Sequence, residues 1–361
     1  MKRNVSGPAQ VTAKAADGDL KTFRKVKVLS EKSAPVAYGG QAVIEGVMFG
    51  GRHVNVTAVR RKSGEITFLE VPREEKSWVR SLRKIPLLRG LVSLIDSSVK
   101  GSKHLNYSFD AYADDEMTPE EREELKAKNK NGEAKLGLGA IIGVTAAAIV
   151  SFLLGKIAFT LVPVFVEQFL FKGAFAHQVY HNLAEGGIKL ILLLLYLYFI
   201  SLTPLVKRLF QYHGAEHKVI SAFEAGEELT PKNVQKYTRL HYRCGSSFIM
   251  LTVIIGVLIY SLFTWDSLAE RVVQRLLLLP VVMGISFEFL KFTNALRDVP
   301  VLRYLGYPGL WLQLLTTKEP TDEQVEVSIA SFNRMRELDA VYAKQGVPAS
   351  SPNAILDPLE G

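Results

Sequence analysis

The hydrophobic and polar positions divide the chain into three blocks. Residues 1–135 are largely polar, 136 to about 290 are dominated by apolar runs, and the remainder is polar again. In the first block, 54–59 and 66–71 are short β-rich runs joined through Arg60-Arg61-Lys62-Ser63-Gly64-Glu65, which reads as a hairpin. A weakly alternating stretch at 23–28 suggests an edge strand, and glycines 39, 40, 46, 50 and 51 punctuate a short apolar run as turns or close backbone approaches. These runs predict a small β-rich unit over 21–75, behind a disordered tail at 1–20. From residue 78 the period becomes helical, with Leu87, Leu88, Leu91, Leu94, Ile95 and Val99 recurring among Lys84, Arg89 and Lys100. Residues 76–109 are therefore expected as an amphipathic helix, lying in a membrane interface or packed in a core, before a charged connector at 110–135.

Four apolar runs follow, at 136–155, 188–202, 246–263 and 276–289. The first is rich in glycine and alanine, which suits close helix packing in lipid. The last is short for a bilayer unless Arg275, Glu288 or Lys291 snorkels or faces protein. A further piece at 157–171, holding Pro163 and Glu167, extends the first span or packs at the outer surface. Lysines 126, 128, 130 and 135 precede the first run, seven Lys and Arg residues populate 204–245, and Lys291, Arg297 and Arg303 follow the last. The intervening stretches, 156–187 and 264–275, are poorer in positive charge, so the positive-inside rule places both termini in the cytoplasm. The fold class expected is an α-helical polytopic membrane protein with about four transmembrane helices over 136–292, a cytosolic polar loop at 204–245, and the β-rich unit on the cytosolic side. In the C-terminal segment 293–345, Thr321 with Gln324 fits a capping box ahead of a helix at 322–343, and 346–361 reads as a loose tail.

Composition adds limits. The mean hydropathy of +0.13 averages over strongly segregated blocks. The net charge of +8 clusters beside the apolar runs, and no zinc-finger or single-strand-binding signature accompanies it. Membrane lipids and other membrane proteins are the partners expected, and nucleic acid is not. A single cysteine excludes an internal disulfide framework and multi-cysteine metal clusters. The N-terminus lacks the apolar core of a secretory signal, so the first span is expected to serve as an uncleaved one.

Three of the seven histidines and the only cysteine fall within 212–244. His213 and His217 are four apart on an expected helix and share a face. The spelling His213-x-x-Glu216-His217 is the inverted zincin pattern, with two imidazole ligands and a glutamate base. Glu224, Glu227, His241 and Cys244 are the candidates for a third ligand, and imidazole with thiolate suits a divalent ion such as zinc. Arg239 and Arg243 can hold an anionic group or a lipid head group, and Cys244 beside Arg243 is expected to have a lowered thiol pKa. Plainer roles stand beside these: hydrogen-bonded interfacial histidines, positive-inside anchors and a small buried cysteine. Glu45 is a second catalytic candidate, as ligand or base, or else a turn-stabilising carboxylate. Glu288 is an intramembrane polar group expected to face the bundle. Asp96, His104 and Asn106 are secondary candidates, and His177 with His181 reads as a surface pair across the membrane from the others.

The motifs Gly39-Gly40-Gln41-Ala42-Val43-Ile44-Glu45-Gly46-Val47-Met48, Leu88-Arg89-Gly90, Tyr212-His213-Gly214-Ala215-Glu216-His217-Lys218 and Arg239-Leu240-His241-x-Arg243-Cys244-Gly245 resemble a bacterial membrane family, the YqhQ-like or DUF1385 family. Gly284-Ile285-Ser286-Phe287-Glu288 and Pro308-Gly309-Leu310-Trp311-Leu312-Gln313, with Thr317-x-Glu319-Pro320, continue the likeness, which covers roughly 36–330. The family is one of bacterial membrane proteins labelled as predicted metal-dependent enzymes, so the resemblance implies a multi-pass protein of the bacterial cytoplasmic membrane. The residues themselves suggest a metal-dependent hydrolase at the cytosolic face, acting on an amide or a phosphoester. The alternative is a non-catalytic integral membrane protein that serves as partner or assembly factor for other membrane proteins.

Overall fold

The computed structural model describes residues 38–74, 77–118, 120–121, 155 and 157–347. The expected tail and edge strand before residue 38, the connector from 122 to 135, the first apolar run except Gly155, and the last residues from 348 lie outside them.

Four strands, β1 (Gly39–Val43), β2 (Gly46–Gly50), β3 (Val54–Arg60) and β4 (Ile66–Pro72), form an antiparallel sheet in the order β1-β2-β3-β4. The β3–β4 hairpin lies where its spacing placed it. The glycine-punctuated run before it, read as turns, is instead a second hairpin. Val43 pairs with Gly46, leaving Ile44 and Glu45 as the turn, and Glu45 takes φ 53. That left-handed backbone is uncommon for a residue bearing a Cβ. The two-residue strand period sorts the sheet into faces. Val47, Phe49, Val56 and Ala58 turn into a core with Tyr212, Val219, Val325 and Phe332, whereas Thr57 and Val59 turn the other way.

That other face is covered by a long helix. After α1 (Ser77–Leu82), α2 runs from Leu88 to Glu116, past residue 109 and into the stretch expected to be a connector. Small residues let α2 lie close to two neighbours. A Cβ at Gly90 would run into Phe287, and a Cβ at Gly101 would run into the Gln41 side chain. Its first half therefore packs on an apolar helix and its second half on the sheet. Beyond Gly101, His104 is fully buried with Nδ1 2.6 Å from Thr57 Oγ1. Burial, helped by Lys103, lowers the His104 pKa from 6.5 to about 4. Protonation thus favours the unfolded chain, so the stability that His104 contributes is full above pH 6.5 and is lost as pH falls toward 4. We expect the thermal midpoint of the purified protein to drop across that window, and His104→Gln to flatten the drop; an unchanged slope in the variant would assign the acid sensitivity elsewhere.

The remaining helices are α3 (Ile157–Phe171), α4 (Gln178–Ile200), α5 (Pro204–Glu224), α6 (Pro231–Val234), α7 (Gly245–Tyr260), α8 (Leu268–Ala295), α9 (Tyr307–Thr316) and α10 (Asp322–Lys344). Among the described residues, α4 and α8 are long and apolar enough to cross a membrane; α3 and α7 are shorter apolar helices. α7 has 16 residues, about 24 Å at 1.5 Å per residue, less than the run at 246–263 suggested. α8 has 28 residues, twice the length of the run at 276–289, because its first turns carry Arg271 and Arg275 in the protein interior. α10 opens at the capping box read from Thr321 and Gln324, with both reciprocal hydrogen bonds present.

The arginines of α8 belong to a buried network. Arg271 pairs with Glu167 of α3 and, at 2.8 Å, with Glu185 of α4. Arg275 lies 2.9 Å from Glu185 and donates to Asn182. His181 is not part of a surface pair. Its Nδ1 stands 2.6 Å from the buried Glu167, whereas His177 stays exposed before the first turn of α4. Trp265 lies against the Arg271 guanidinium and Tyr260 against that of Arg275, at 4.6 and 4.2 Å from the ring centroids.

Candidate metal centre

Helix α5 starts on Pro204, whose missing N–H is harmless in a first turn. Gly214, in the middle of its buried stretch, sets how closely the chain can cross it. A Cβ there would run into the Lys318 carbonyl, and the Lys318 N–H donates to Phe210 O at 2.8 Å. Because the segment after α9 lies on the helix at this notch, the Thr316 carbonyl reaches His213 Nδ1 at 2.8 Å. One turn on, the segment before α7 crosses, and the Arg239 carbonyl lies 2.6 Å from His217 Nδ1. A carbonyl only accepts, so both Nδ1 atoms carry a proton and Nε2 is the ring nitrogen left for a metal, the arrangement typical of metal-ligating histidines.

Cys244 precedes the first residue of α7, and its Sγ lies 3.2 Å from His213 Nε2 and 3.0 Å from Ser246 Oγ. One donor atom from each of His213, His217 and Cys244 falls within 4.8 Å of the others. Zinc bonds of 2.0–2.3 Å at tetrahedral angles put ligand atoms roughly 3.3–3.6 Å apart, close to the sulfur–nitrogen separation here. The cluster is buried and offers two imidazoles and a thiol, a set that can hold a divalent metal. Burial resists charge on the His213 ring, but the Cys244 sulfur, Glu216 and the Thr316 carbonyl outweigh it and push its pKa up to about 9. Burial likewise opposes the Cys244 thiolate, yet the His213 and His217 rings hold the thiol well below its ordinary range. A divalent ion held here would take the place of the proton that the His213 imidazole and the Cys244 thiol share.

Glu216 is 5% exposed and lies between the histidines and the sheet edge. The Gly40 N–H donates to its carboxylate, and a Cβ at Gly40 would come within 3.1 Å of its Cδ. Burial raises the Glu216 pKa, the two histidines and the Gly40 N–H lower it, and the Cys244 sulfur adds to the rise. A cavity of about 390 Å³ opens over Glu216 and the cluster, walled by β1, α2, α5 and residues 241–246.

The other sequence candidates take different places. His241 lines the cavity but is not one of the three clustered donors. Its ring centroid is 5.6 Å from that of His217, its Nε2 lies 3.3 Å from Arg243 Nη2, and Gln313 of α9 clamps its backbone through two hydrogen bonds. Burial, with His217 and Arg243, holds its pKa well below the ordinary value, so this imidazole is neutral. Glu224 pairs with Arg243, and Glu227 is exposed. Arg239 donates to the Thr317 carbonyl at 2.6 Å and to Glu319 at 3.1 Å. Glu45 is not brought to the cluster. Its turn aims the carboxylate at Arg208 and the Tyr212 hydroxyl, beside a separate cavity of about 250 Å³. Glu288 pairs with Arg89 and accepts the Leu87 N–H at 3.3 Å, so it faces the start of α2. Asp96 carries Lys100 and Arg83, and Asn106 is exposed. Sequence reasoning missed Thr316, which acts through its carbonyl, and met Gln313 only as the end of a motif, with no role for its amide; Gly214 inside the histidine motif hinted at a chain crossing there.

The family model for a protein of unknown function, DUF1385, matches residues 85–338, which include all three clustered donors. The uncharacterized protein YqhQ of Bacillus subtilis (strain 168) is 50% identical over 321 residues, which cover 89% of this chain and 99% of that protein. No solved structure matches. With a family model over most of its length and a half-identical relative matched almost end to end, the chain belongs to the DUF1385 family.

Proposed function

We propose that this chain is a multi-pass membrane hydrolase that uses a divalent metal, zinc being the ion its donors suit best, at a site on the cytosolic face. One observation carries the reading. Two histidines fixed by backbone carbonyls at Nδ1 turn their Nε2 atoms toward one thiol, with a buried carboxylate beside them. His213, His217 and Cys244 would hold the ion, leaving a fourth position for water or substrate. A bound ion supplies Lewis acidity and lowers the pKa of water. Glu216, already fixed through the Gly40 N–H, would receive the proton of the attacking water and return it to the leaving group. The topology follows the four apolar runs, of which α4 and α8 are long enough to span and α7 is shorter, and with the positive charge of 204–245 it supports a centre on the cytoplasmic side together with both termini. The DUF1385 resemblance supports a location in the bacterial cytoplasmic membrane.

Metal analysis of protein extracted in mild detergent tests this directly. We expect about one divalent ion per chain, with His213→Ala and Cys244→Ala each emptying the site while the protein stays folded. Metal-free protein that also fails to take up added zinc would sink the hydrolase. It would favour the non-catalytic partner, docking through the small β-rich unit and the neighbouring exposed α2 residues Ile95, Val99 and Phe109.

A further inference from the structure

Strand β1 is an edge of the sheet, and its outer side forms one wall of the cavity that holds the His213–His217–Cys244 cluster. The β1–β2 register shows which backbone groups face out. Val43 pairs with Gly46 and Gln41 with Met48. Across the sheet, the Arg60 N–H donates to Glu45 O, so Gly46 exchanges its own bonds with Val43. Antiparallel pairing alternates, so the backbone groups of Gly40, Ala42 and Ile44 point away from β2. Two of these outward donors are occupied: Gly40 N–H by Glu216, and Ile44 N–H by Ser108 Oγ at 3.2 Å. Between them, the N–H and carbonyl of Ala42 meet no hydrogen-bond partner among the described residues. Ala42 is partly buried, and Gly40, the neighbouring outward position, is exposed.

The cations around the cavity are already engaged. Lys100 sits 2.8 Å from Asp96, Arg243 is paired with Glu224, and Arg73 donates to the Gly51 carbonyl. Beyond the ion itself a phosphoester would find only cations that are already engaged, whereas an extended peptide finds an unmatched donor and acceptor waiting at Ala42. We infer that the substrate is a polypeptide, held in extended form as an added strand on β1 and cut at the amide that reaches the cluster. This inference rests on the hydrolase reading above and narrows it from amide or phosphoester to peptide. In the reaction the oxygen of water bonds to the peptide carbonyl carbon, the carbon–nitrogen bond breaks, and a proton from that water passes through Glu216 to the departing amine. Water is the only co-reactant. Ala42 acts as a positioning residue, through its backbone.

The test uses full-length, zinc-loaded protein in detergent, assayed against quenched-fluorescence peptides of randomised sequence and against bis(p-nitrophenyl) phosphate. We expect peptide cleavage. Ala42→Pro removes the outward N–H without touching a β1–β2 bond, because proline is tolerated where an edge donor points out. It should lower kcat/KM for peptides at least tenfold and leave the zinc content unchanged. If that variant misfolds, wild-type protein and a cleaved peptide N-methylated at successive positions give the same answer: methylation near the cut should abolish cleavage at alternate positions, the mark of strand pairing. Phosphoester turnover with intact peptides would overturn the peptide assignment and leave the hydrolase standing, and zinc-loaded protein that cuts neither probe overturns the peptide assignment too. Peptide cleavage indifferent to both Ala42→Pro and N-methylation would overturn docking on β1. Protein that binds no zinc would instead remove the reading beneath it.

Discussion

Glu216→Gln is expected to keep its metal and lose its turnover. The amide has nearly the shape of the carboxylate and still offers an oxygen to the Gly40 N–H, so the wall between α5 and β1 should stand. What the variant lacks is a group that can take a proton from water. General-base contributions of this kind are worth about 10²–10⁴-fold, and the loss should appear in kcat at unchanged zinc content, on whichever probe the wild-type protein cleaves. Glu216→Ala is a harsher change, since it also leaves the Gly40 N–H facing an empty space. Equal losses in the two variants would fit a base, whereas a far larger loss for alanine would point to a structural carboxylate. Full turnover in Glu216→Gln would remove Glu216 from the mechanism and leave the cluster as a binding site alone.

The readable parts of the chain are those whose physics is local. The β3–β4 hairpin, the capping box at Thr321 and the histidine pair on one helix face follow from spacing and short-range hydrogen bonds, and they stand where the spacing put them. The β1–β2 hairpin is masked by its glycines. Glycine is usually a turn signal, but here Gly39, Gly40, Gly46 and Gly50 sit within strands, and at Gly40 and Gly46 a Cβ would collide with a neighbouring carbonyl. Hydrophobic spacing ends α2 too early because its C-terminal half is polar on one side and buries small residues, Gly101, Ser108 and Ala111, on the other. Small residues carry little hydrophobic periodicity, although they allow the closest packing. At the candidate centre, the choice of Cys244 over His241 depends on how residues 239–244 cross α5, a tertiary contact that no sequence spacing encodes. The pairing of Glu45 with Arg208 is long-range in the same sense.

Arg275→Met is expected to destabilise the protein more than any substitution at the candidate centre. Arg275 and Arg271 lie in the interior with two carboxylates, Glu167 and Glu185, so the network is balanced charge for charge. Taking away one arginine leaves a buried carboxylate with half its counter-charge and frees Asn182 from its donor. Breaking a buried pair in this way costs about 3–5 kcal/mol. It also discards the stacking of the Arg275 guanidinium on Tyr260. Arg275→Met combined with Glu185→Met removes one charge of each sign and leaves Arg271 with Glu167, a neutral remainder. The double variant should therefore recover much of the thermal midpoint lost in the single one, even though it carries more changes. A double variant that melts at or below the single one would show that these side chains matter for their shape and stacking and not for their charge. The network sits at the start of α4, and Glu185 lies eighteen residues ahead of Thr203, about 27 Å along a helix from the start of α5. Both variants should consequently bind zinc as the wild type does. That separation makes the pair a useful control, because a stability loss at this end that left the cluster loaded would show that metal binding depends on local geometry around α5 and not on the stability of the whole bundle.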